Sequence, residues 1–269
     1  MISFVGAGPG AADLITLRGR DRLATADVVV WASSLVPEAM LAHARPAAAI
    51  HDSAGMTLED VLAVYAAAPG ASIVRLHSGD PSIYGAIGEQ IDWCVANGRD
   101  FEIVPGVSSL AAAAAAVGRE LTQPGVAQSV VLTRLAGRTS ASMPPGESVA
   151  AFAAHGATMA VFLSAARPKE LADELLAVGS AYTPDTPAAI VVRASWPDER
   201  VAMSSVGRLA EDLAAIGTTT TVLVLVGAAL AASGDNGPAP AARSHLYSPG
   251  FAHMFRRRSL PGTTAGRPA

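Results

Sequence analysis

The amino-acid sequence predicts an α/β protein of two α/β domains with mostly parallel or mixed sheets. Three observations carry that expectation. Short β-branched runs recur along the chain, segments of helical period lie between them, and a stretch of turn residues divides the series in two. A chain of 269 residues also exceeds the size at which one hydrophobic core usually splits.

Strands are expected at residues 2–5, 28–31, 72–76 and 101–104, then at 130–133, 158–163, 188–192 and 222–226. Helices fall between them at 16–26, 58–67, 86–97, 108–117, 168–178 and 206–216. Thr57 followed by Asp60 is a capping-box signal for the second helix. Residues 118–126 hold Thr122, Pro124 and Gly125 after an alanine-rich helix, which sets a domain boundary there and gives domains of 1–120 and 121–230. Residues 200–205 alternate like a strand after the Trp196-Pro197-Asp198 turn, so the second sheet is expected to carry an antiparallel hairpin and to be mixed. Alanine, glycine and proline dominate 231–242, so 231–269 is expected to be a linker and a partly disordered tail. Within it Leu246, Tyr247, Phe251, Met254 and Phe255 are candidates to dock, and 261–269 is expected to be disordered.

Composition excludes several classes of function. Hydrophobic residues at 51% against 16% charged exclude a disordered polymer. Nineteen basic and 23 acidic side chains leave a net charge of -4, so no basic field exists to attract nucleic acid. No apolar run reaches the roughly 20 residues that span a bilayer, and the N-terminus enters a strand without the order of a signal peptide. The single cysteine, Cys94, lies among apolar residues and suits a reducing compartment, so the expected location is the cytoplasm. The six histidines show no metal-ligand spacing, and no metal is expected.

Three loops follow strands of the first domain. Gly6-Ala7-Gly8-Pro9-Gly10 allows a sharp turn and a close backbone approach, but its spacing is not G-x-G-x-x-G and Pro9 removes one amide donor. The second strand ends in Trp31-Ala32-Ser33-Ser34, without the acid that holds a ribose in dinucleotide sites. A purely structural strand-to-helix turn accounts for such a loop equally well. Residues 77–85, His-Ser-Gly-Asp-Pro-Ser-Ile-Tyr-Gly, follow the next of these strands, with Asp80 suited to an Asx turn. Residues 104–109, Val-Pro-Gly-Val-Ser-Ser, repeat the arrangement. Three small-residue loops at strand ends imply one crevice where open α/β sheets place ligands.

Residues 5–10, 78–85 and 105–109, in this order, resemble the signature blocks of the tetrapyrrole (corrin and porphyrin) methylase family, and the likeness extends over roughly residues 1–230. The resemblance implies two α/β domains with S-adenosyl-L-methionine in the cleft between them, held mainly by backbone groups, and S-adenosyl-L-homocysteine as product. Carried onto this sequence, the donor site includes Pro9, Ser78, Gly79, Asp80, Ile83, Ser108 and Ser109, with Leu163, Arg193, Ala194, Thr220 and Thr221 from farther along. Leu163 is equally well read as a core strand residue. The resemblance also implies a small-molecule tetrapyrrole substrate and a homodimer. Uroporphyrinogen-type members carry an aspartate just after the second strand, and residues 32–36 hold no acid, which points to another member.

A substrate rich in acetate and propionate groups calls for arginines. Arg18, Arg20, Arg134, Arg138 and Arg193 are candidates by their places beside loops or strand ends, against the commoner role of each as a solvated surface charge. Tyr84 and Trp196 are candidate lining for a macrocycle, against the commoner role of an aromatic in a core or hinge. Methyl transfer from a sulfonium to an electron-rich carbon needs alignment more than proton transfer, so no general base is assigned. The alternatives are a sibling methylase with another substrate and a nucleotide-binding module without catalysis.

Overall fold

The computed structural model describes residues 1–136, 143–144, 146–231, 244–248 and 251–256. Ten strands and seven α-helices form among them, in two compact units.

The first unit comprises Met1–Gly118 with Ile190–Ala202 and Thr218–Leu223. Its sheet contains β1 (Ile2–Gly6), β2 (Val28–Trp31), β3 (Ala49–Asp52), β4 (Ile73–His77) and β5 (Phe101–Val104). The order is β3-β2-β4-β1-β5 with every neighbouring pair parallel. Helices α1 (Leu17–Thr25), α2 (Leu58–Ala67), α3 (Gly88–Ala96) and α4 (Ser109–Val117) complete the unit. Because a parallel sheet is covered on both faces, β1 and β2 read as nearly unbroken apolar runs and are buried throughout. On one face Val5, Val29, Trp31, Val74 and Leu76 cluster with Leu23 of α1 and with Met40. On the other, Ile2, Phe4, Val28, Val30 and Ile73 cluster with Val61 and Tyr65 of α2 and Cys94 of α3. Cys94 is a free, buried thiol.

The caps written in the sequence form. Thr57 and Asp60 make the reciprocal capping box of α2, Thr16 caps α1 by accepting from the Gly19 amide, and α4 ends on Gly118 in the left-handed conformation. One element lacks a sequence signal. β3 offers only Ile50 as a β-branched residue, and it forms as an exposed edge strand through its register with β2.

The second unit comprises Arg119–Ala189, Met203–Gly217 and the described residues from Val224 onward. The second sheet is built from β6 (Val130–Arg134), β7 (Thr158–Phe162), β8 (Pro187–Val192), β9 (Arg200–Ser205) and β10 (Val222–Val226), in the order β6-β7-β10-β8-β9. It is mixed: β6 and β7 are parallel, whereas β7 and β10 are antiparallel. Helices α5 (Val149–Ala153), α6 (Pro168–Leu175) and α7 (Leu209–Ile216) bury Val149, Leu171, Leu175, Leu209 and Leu213. α5 is another element without a sequence expectation, a single short turn nucleated by the Ser148 hydroxyl on the Ala151 amide. The expected docking of the tail is not what forms. Leu246, Tyr247, Met254 and Phe255 are all exposed, while Phe251 meets His245 edge-on with ring centres 4.7 Å apart and Arg256 donates to the Phe251 and Ser248 carbonyls. Most of the expected linker, and the end segment 261–269, lie outside the described residues.

Beneath the first sheet, the Tyr65 hydroxyl donates to Gln90 Oε1 at 2.7 Å in a buried contact, and Gln90 Nε2 in turn donates to the Ala86 carbonyl. Tyr65→Phe leaves that amide oxygen buried without its donor, and is expected to lower unfolding stability by about 1–3 kcal/mol in urea titrations.

Candidate active site

The strand order places the site. β4 and β5 flank β1, so the loops after these three strands leave the carboxyl edge of the sheet side by side. β2 lies beyond β4 and is not a neighbour of β1. The acid sought after the second strand, by analogy with dinucleotide sites, would therefore stand away from the glycine loop. An acid is nevertheless found at the end of β2. Asp52, at the end of β3, accepts from the Ser33 amide at 3.0 Å and the Ala54 amide at 2.9 Å. Hydrogen bonding from Ser33, and then from Ala54, holds its carboxyl below the usual carboxylate range. Sequence reasoning missed this residue because its partner lies 19 positions away, across a strand that had no signal.

The three loops interlock through their main chains. The Gly79 amide donates to the Gly8 carbonyl at 2.8 Å and the Gly8 amide to the Gly79 carbonyl at 3.3 Å. A Cβ on Gly106 would lie 2.1 Å from the Gly79 oxygen, and one on Gly6 would lie 2.5 Å from the Gly106 Cα. These glycines serve the approach of backbone to backbone. Asp80 fastens the same junction: Oδ1 accepts from the Ser82 amide and Oδ2 from the Gly106 amide, both at 2.8 Å. The Asx turn expected at Asp80 thus exists, and its second oxygen joins the β4 loop to the β5 loop. Ser108 caps α4 by accepting from the Leu110 amide, and the Ser109 amide lies 3.5 Å from the position of a Cβ on Gly79.

Residues 193–199 lie against the glycine loop within the same unit. The Trp196 indole donates to the Pro9 carbonyl at 3.0 Å and covers Gly10, where a Cβ would meet the ring at 2.2 Å. Ser195 Oγ accepts from the Ala11 amide at 3.0 Å, and the buried Ala194 places its carbonyl against Gly10. Arg193 pairs with Asp198 at 2.5 Å, sits 5.4 Å from the Trp196 ring centre, and donates its amide to the Thr221 carbonyl at 2.8 Å. The amides of the glycine loop are therefore largely used up: Ala7 donates to the His77 carbonyl, Gly8 to Gly79, Ala11 to Ser195, and Pro9 has none. That inventory does not fit a phosphate cradle.

Six non-glycine residues adopt the left-handed conformation: Tyr84, Ala86, Leu163, Arg193, Ser195 and Thr221. Four of them, Tyr84, Leu163, Arg193 and Thr221, are site candidates from the sequence, and strain of this kind concentrates at functional positions. Ile83 and Tyr84 are 38% and 50% exposed. In the second unit Leu163 lies one residue past β7 and is 69% exposed, which excludes the core reading. In the first unit Thr220 is exposed, and Thr221, next in sequence, is half-buried.

The described candidate arginines stand on more than one element. Arg18 and Arg20 are exposed on α1, where Arg20 pairs with Asp21 at 2.8 Å, while Arg22 of the same helix pairs with Glu102 of β5. Arg134 ends β6 in the second unit, and Arg138 lies outside the described residues. Among the described residues no group of three or more His, Cys, Asp or Glu side chains is placed to hold a metal, and no helix is long and apolar enough to cross a membrane.

Matching against family models finds the tetrapyrrole (corrin/porphyrin) methylases over residues 1–210. The chain belongs to this family. Among relatives of the methylase, a precorrin-4 C(11)-methyltransferase from a Sinorhizobium species is 44% identical over 259 residues, 96% of this chain and 98% of the relative. A solved cobalt-precorrin-4 methyltransferase, a cobalamin biosynthetic enzyme, is 41% identical with a TM-score of 0.80, over 85% of this chain and 95% of its own. The uroporphyrin-III C-methyltransferase of Thermus thermophilus, solved with S-adenosylhomocysteine, is 30% identical with a TM-score of 0.71, over 84% and 96%. The methylase fold and the α/β class expected from the sequence are those observed.

His77 immediately precedes the Ser78-Gly79-Asp80 turn. Burial, and then the nearby Arg75 cation, pull its imidazole down to about 3 from an ordinary 6.5, so it is neutral in the folded chain. The unfolded chain takes up this proton as pH falls below 6.5 and the folded chain does not, so stability is lost in that direction. Between about pH 6 and pH 5, thermal or urea unfolding is expected to show up to about 1.4 kcal/mol per pH unit more loss for the parent chain than for His77→Gln.

Proposed function

We propose that the chain is an S-adenosylmethionine-dependent C-methyltransferase of cobalamin biosynthesis that methylates precorrin-4 at C11, giving precorrin-5 and S-adenosylhomocysteine. The observation that carries this reading is the near full-length likeness to a relative named for that reaction. A second reading, the cobalt-containing counterpart of the same substrate, is supported by the solved neighbour named for it.

The donor set suits S-adenosylmethionine. The set of Gly79, Arg193, Ala194 and Thr221, with the hydroxyls of Ser78, Ser108, Ser109 and Thr220 and the apolar side chains of Ile83 and Leu163, has the mixed polarity of a nucleoside joined to an amino acid through sulfur. Pro9 contributes by fixing the turn beneath Trp196. When bound, this cofactor supplies an electrophilic methyl on a sulfonium. The chain's own contribution is alignment, because the carbon nucleophile is already electron-rich and in-line geometry limits the rate. Interlocked loops hold that geometry without reorganising at each turnover. Arg18, Arg20, Tyr84, Arg134 and Arg138 are proposed to meet the substrate, and no residue is assigned as general base.

The same proposal places the enzyme in the cytoplasm as a homodimer. A single buried thiol supports the first, and the exposed Leu246, Tyr247, Met254 and Phe255 support the second.

Incubation with precorrin-4 and a donor carrying a carbon-13 methyl is expected to place the label at C11 by carbon NMR. Label at another carbon discards the regiochemistry, and transfer to no tetrapyrrole discards the function. Replacing Asp80 with alanine frees the Gly106 amide and loosens two loops, so calorimetry is expected to find S-adenosylhomocysteine bound about tenfold more weakly. Unchanged affinity leaves Asp80 with only its turn.

A further inference from the structure

Arg75 is a cation set into the middle strand of the first sheet. It faces the side covered by α2 and α3, and Nη1 makes all of its hydrogen bonds: to Ser53 Oγ at 2.9 Å, and at the long limits of 3.4 and 3.5 Å to the Val30 and Leu76 carbonyls. Ser53 Oγ is itself oriented by donating to the Trp31 carbonyl at 2.9 Å. These contacts bring the guanidinium to the carboxyl ends of β2 and β3, the edge of the sheet from which the loops leave.

Among the described residues no carboxylate lies within ion-pair distance of Arg75, and its Nε is buried without a hydrogen-bond partner. Two positions on, His77 faces the same side of the strand and is only 7% exposed, and its Nε2 also lacks a partner. Its ring lies 6.1 Å from that of Phe4. Buried charges in folded proteins are paired, and buried donors are hydrogen-bonded. Two nitrogens without partners lie two residues apart on one face, one of them on a half-buried cation with no counter-ion among the described residues, an arrangement that an anion from outside the chain would complete.

We propose that Arg75 and His77, with Ser53 orienting the guanidinium, form a subsite that binds one carboxylate of the tetrapyrrole substrate. The flat fork of a guanidinium donates to a carboxylate, and the imidazole nitrogen lies on the same side of the strand to meet it. The subsite immediately precedes the Ser78-Gly79-Asp80 turn, so an anchored side chain of the macrocycle fixes the ring relative to the donor loops. This inference rests on the substrate class proposed above. It also brings in an arginine that is not among the candidates from the sequence, of which Arg18 and Arg20 lie exposed on α1 and Arg193 pairs with Asp198.

The test uses the full chain and three probes: cobyrinic acid, a stable corrinoid with free acetate and propionate carboxylates; its fully amidated counterpart; and S-adenosylhomocysteine. Calorimetry is expected to show that Arg75→Gln binds cobyrinic acid at least about tenfold more weakly, with affinity for the amide and for S-adenosylhomocysteine unchanged. Equal affinity of parent and variant for the acid overturns the subsite. So does a loss confined to S-adenosylhomocysteine, which would assign the anion to the donor's own carboxylate. If the parent chain binds S-adenosylhomocysteine but neither corrinoid, the substrate class fails, and the subsite with it. Should Arg75→Gln not fold, Arg75→Lys keeps the charge without the fork, and Ser53→Ala removes only the orienting hydroxyl. Weaker binding of the acid alone by either supports the proposal, and parent-like binding of the acid by both overturns it.

Discussion

The contact on which the rest depends is the meeting of three glycine backbones, Gly6, Gly79 and Gly106, at the carboxyl ends of β1, β4 and β5. With Cβ positions 2.1 and 2.5 Å from neighbouring main-chain atoms, these strands cannot bring their loops together if either Gly6 or Gly106 carries a side chain. Once they meet, the paired Gly8 and Gly79 amides and the Asp80 carboxylate close the junction with main-chain hydrogen bonds. The glycine-rich loop is therefore a structural joint. Its amides are turned toward the protein, which is why a motif that suggests phosphate binding has little left with which to bind one.

A second layer of constraint comes from residues far away in sequence. Trp196, Ser195 and Ala194 press on Pro9, Gly10 and Ala11, and the segment that carries them is braced by Arg193 with Asp198 and by the Thr221 carbonyl. Left-handed backbone at Arg193, Ser195 and Thr221 costs about 1–3 kcal/mol at each residue, and these cross-links hold it in place. A methyl transfer that needs alignment more than acid-base chemistry is served by a site whose walls are fixed in this way. Below the sheet, Tyr65, Gln90, Arg75 and His77 form a polar stratum inside an otherwise apolar face, and only part of its hydrogen-bonding capacity is satisfied by the chain.

The sequence by itself determined the α/β class, nine of the ten strands, the capping box of α2, the three loops and the family, because each is encoded locally in apolar period, turn chemistry or short blocks of fixed spacing. It did not determine β3, which exists only through pairing with β2, or the role of Trp196 on Pro9. Nor did it reveal the carboxylate that Asp52 brings to Ser33, or the isolation of Arg75 from any counter-ion in the described chain. Those were decided by tertiary structure. Strand order is not written in any single strand, and inserting β4 between β1 and β2 chooses which loop ends become neighbours. Whether an arginine is a surface charge or a half-buried cation depends on that choice, since burial is a property of what covers a residue and not of the residue.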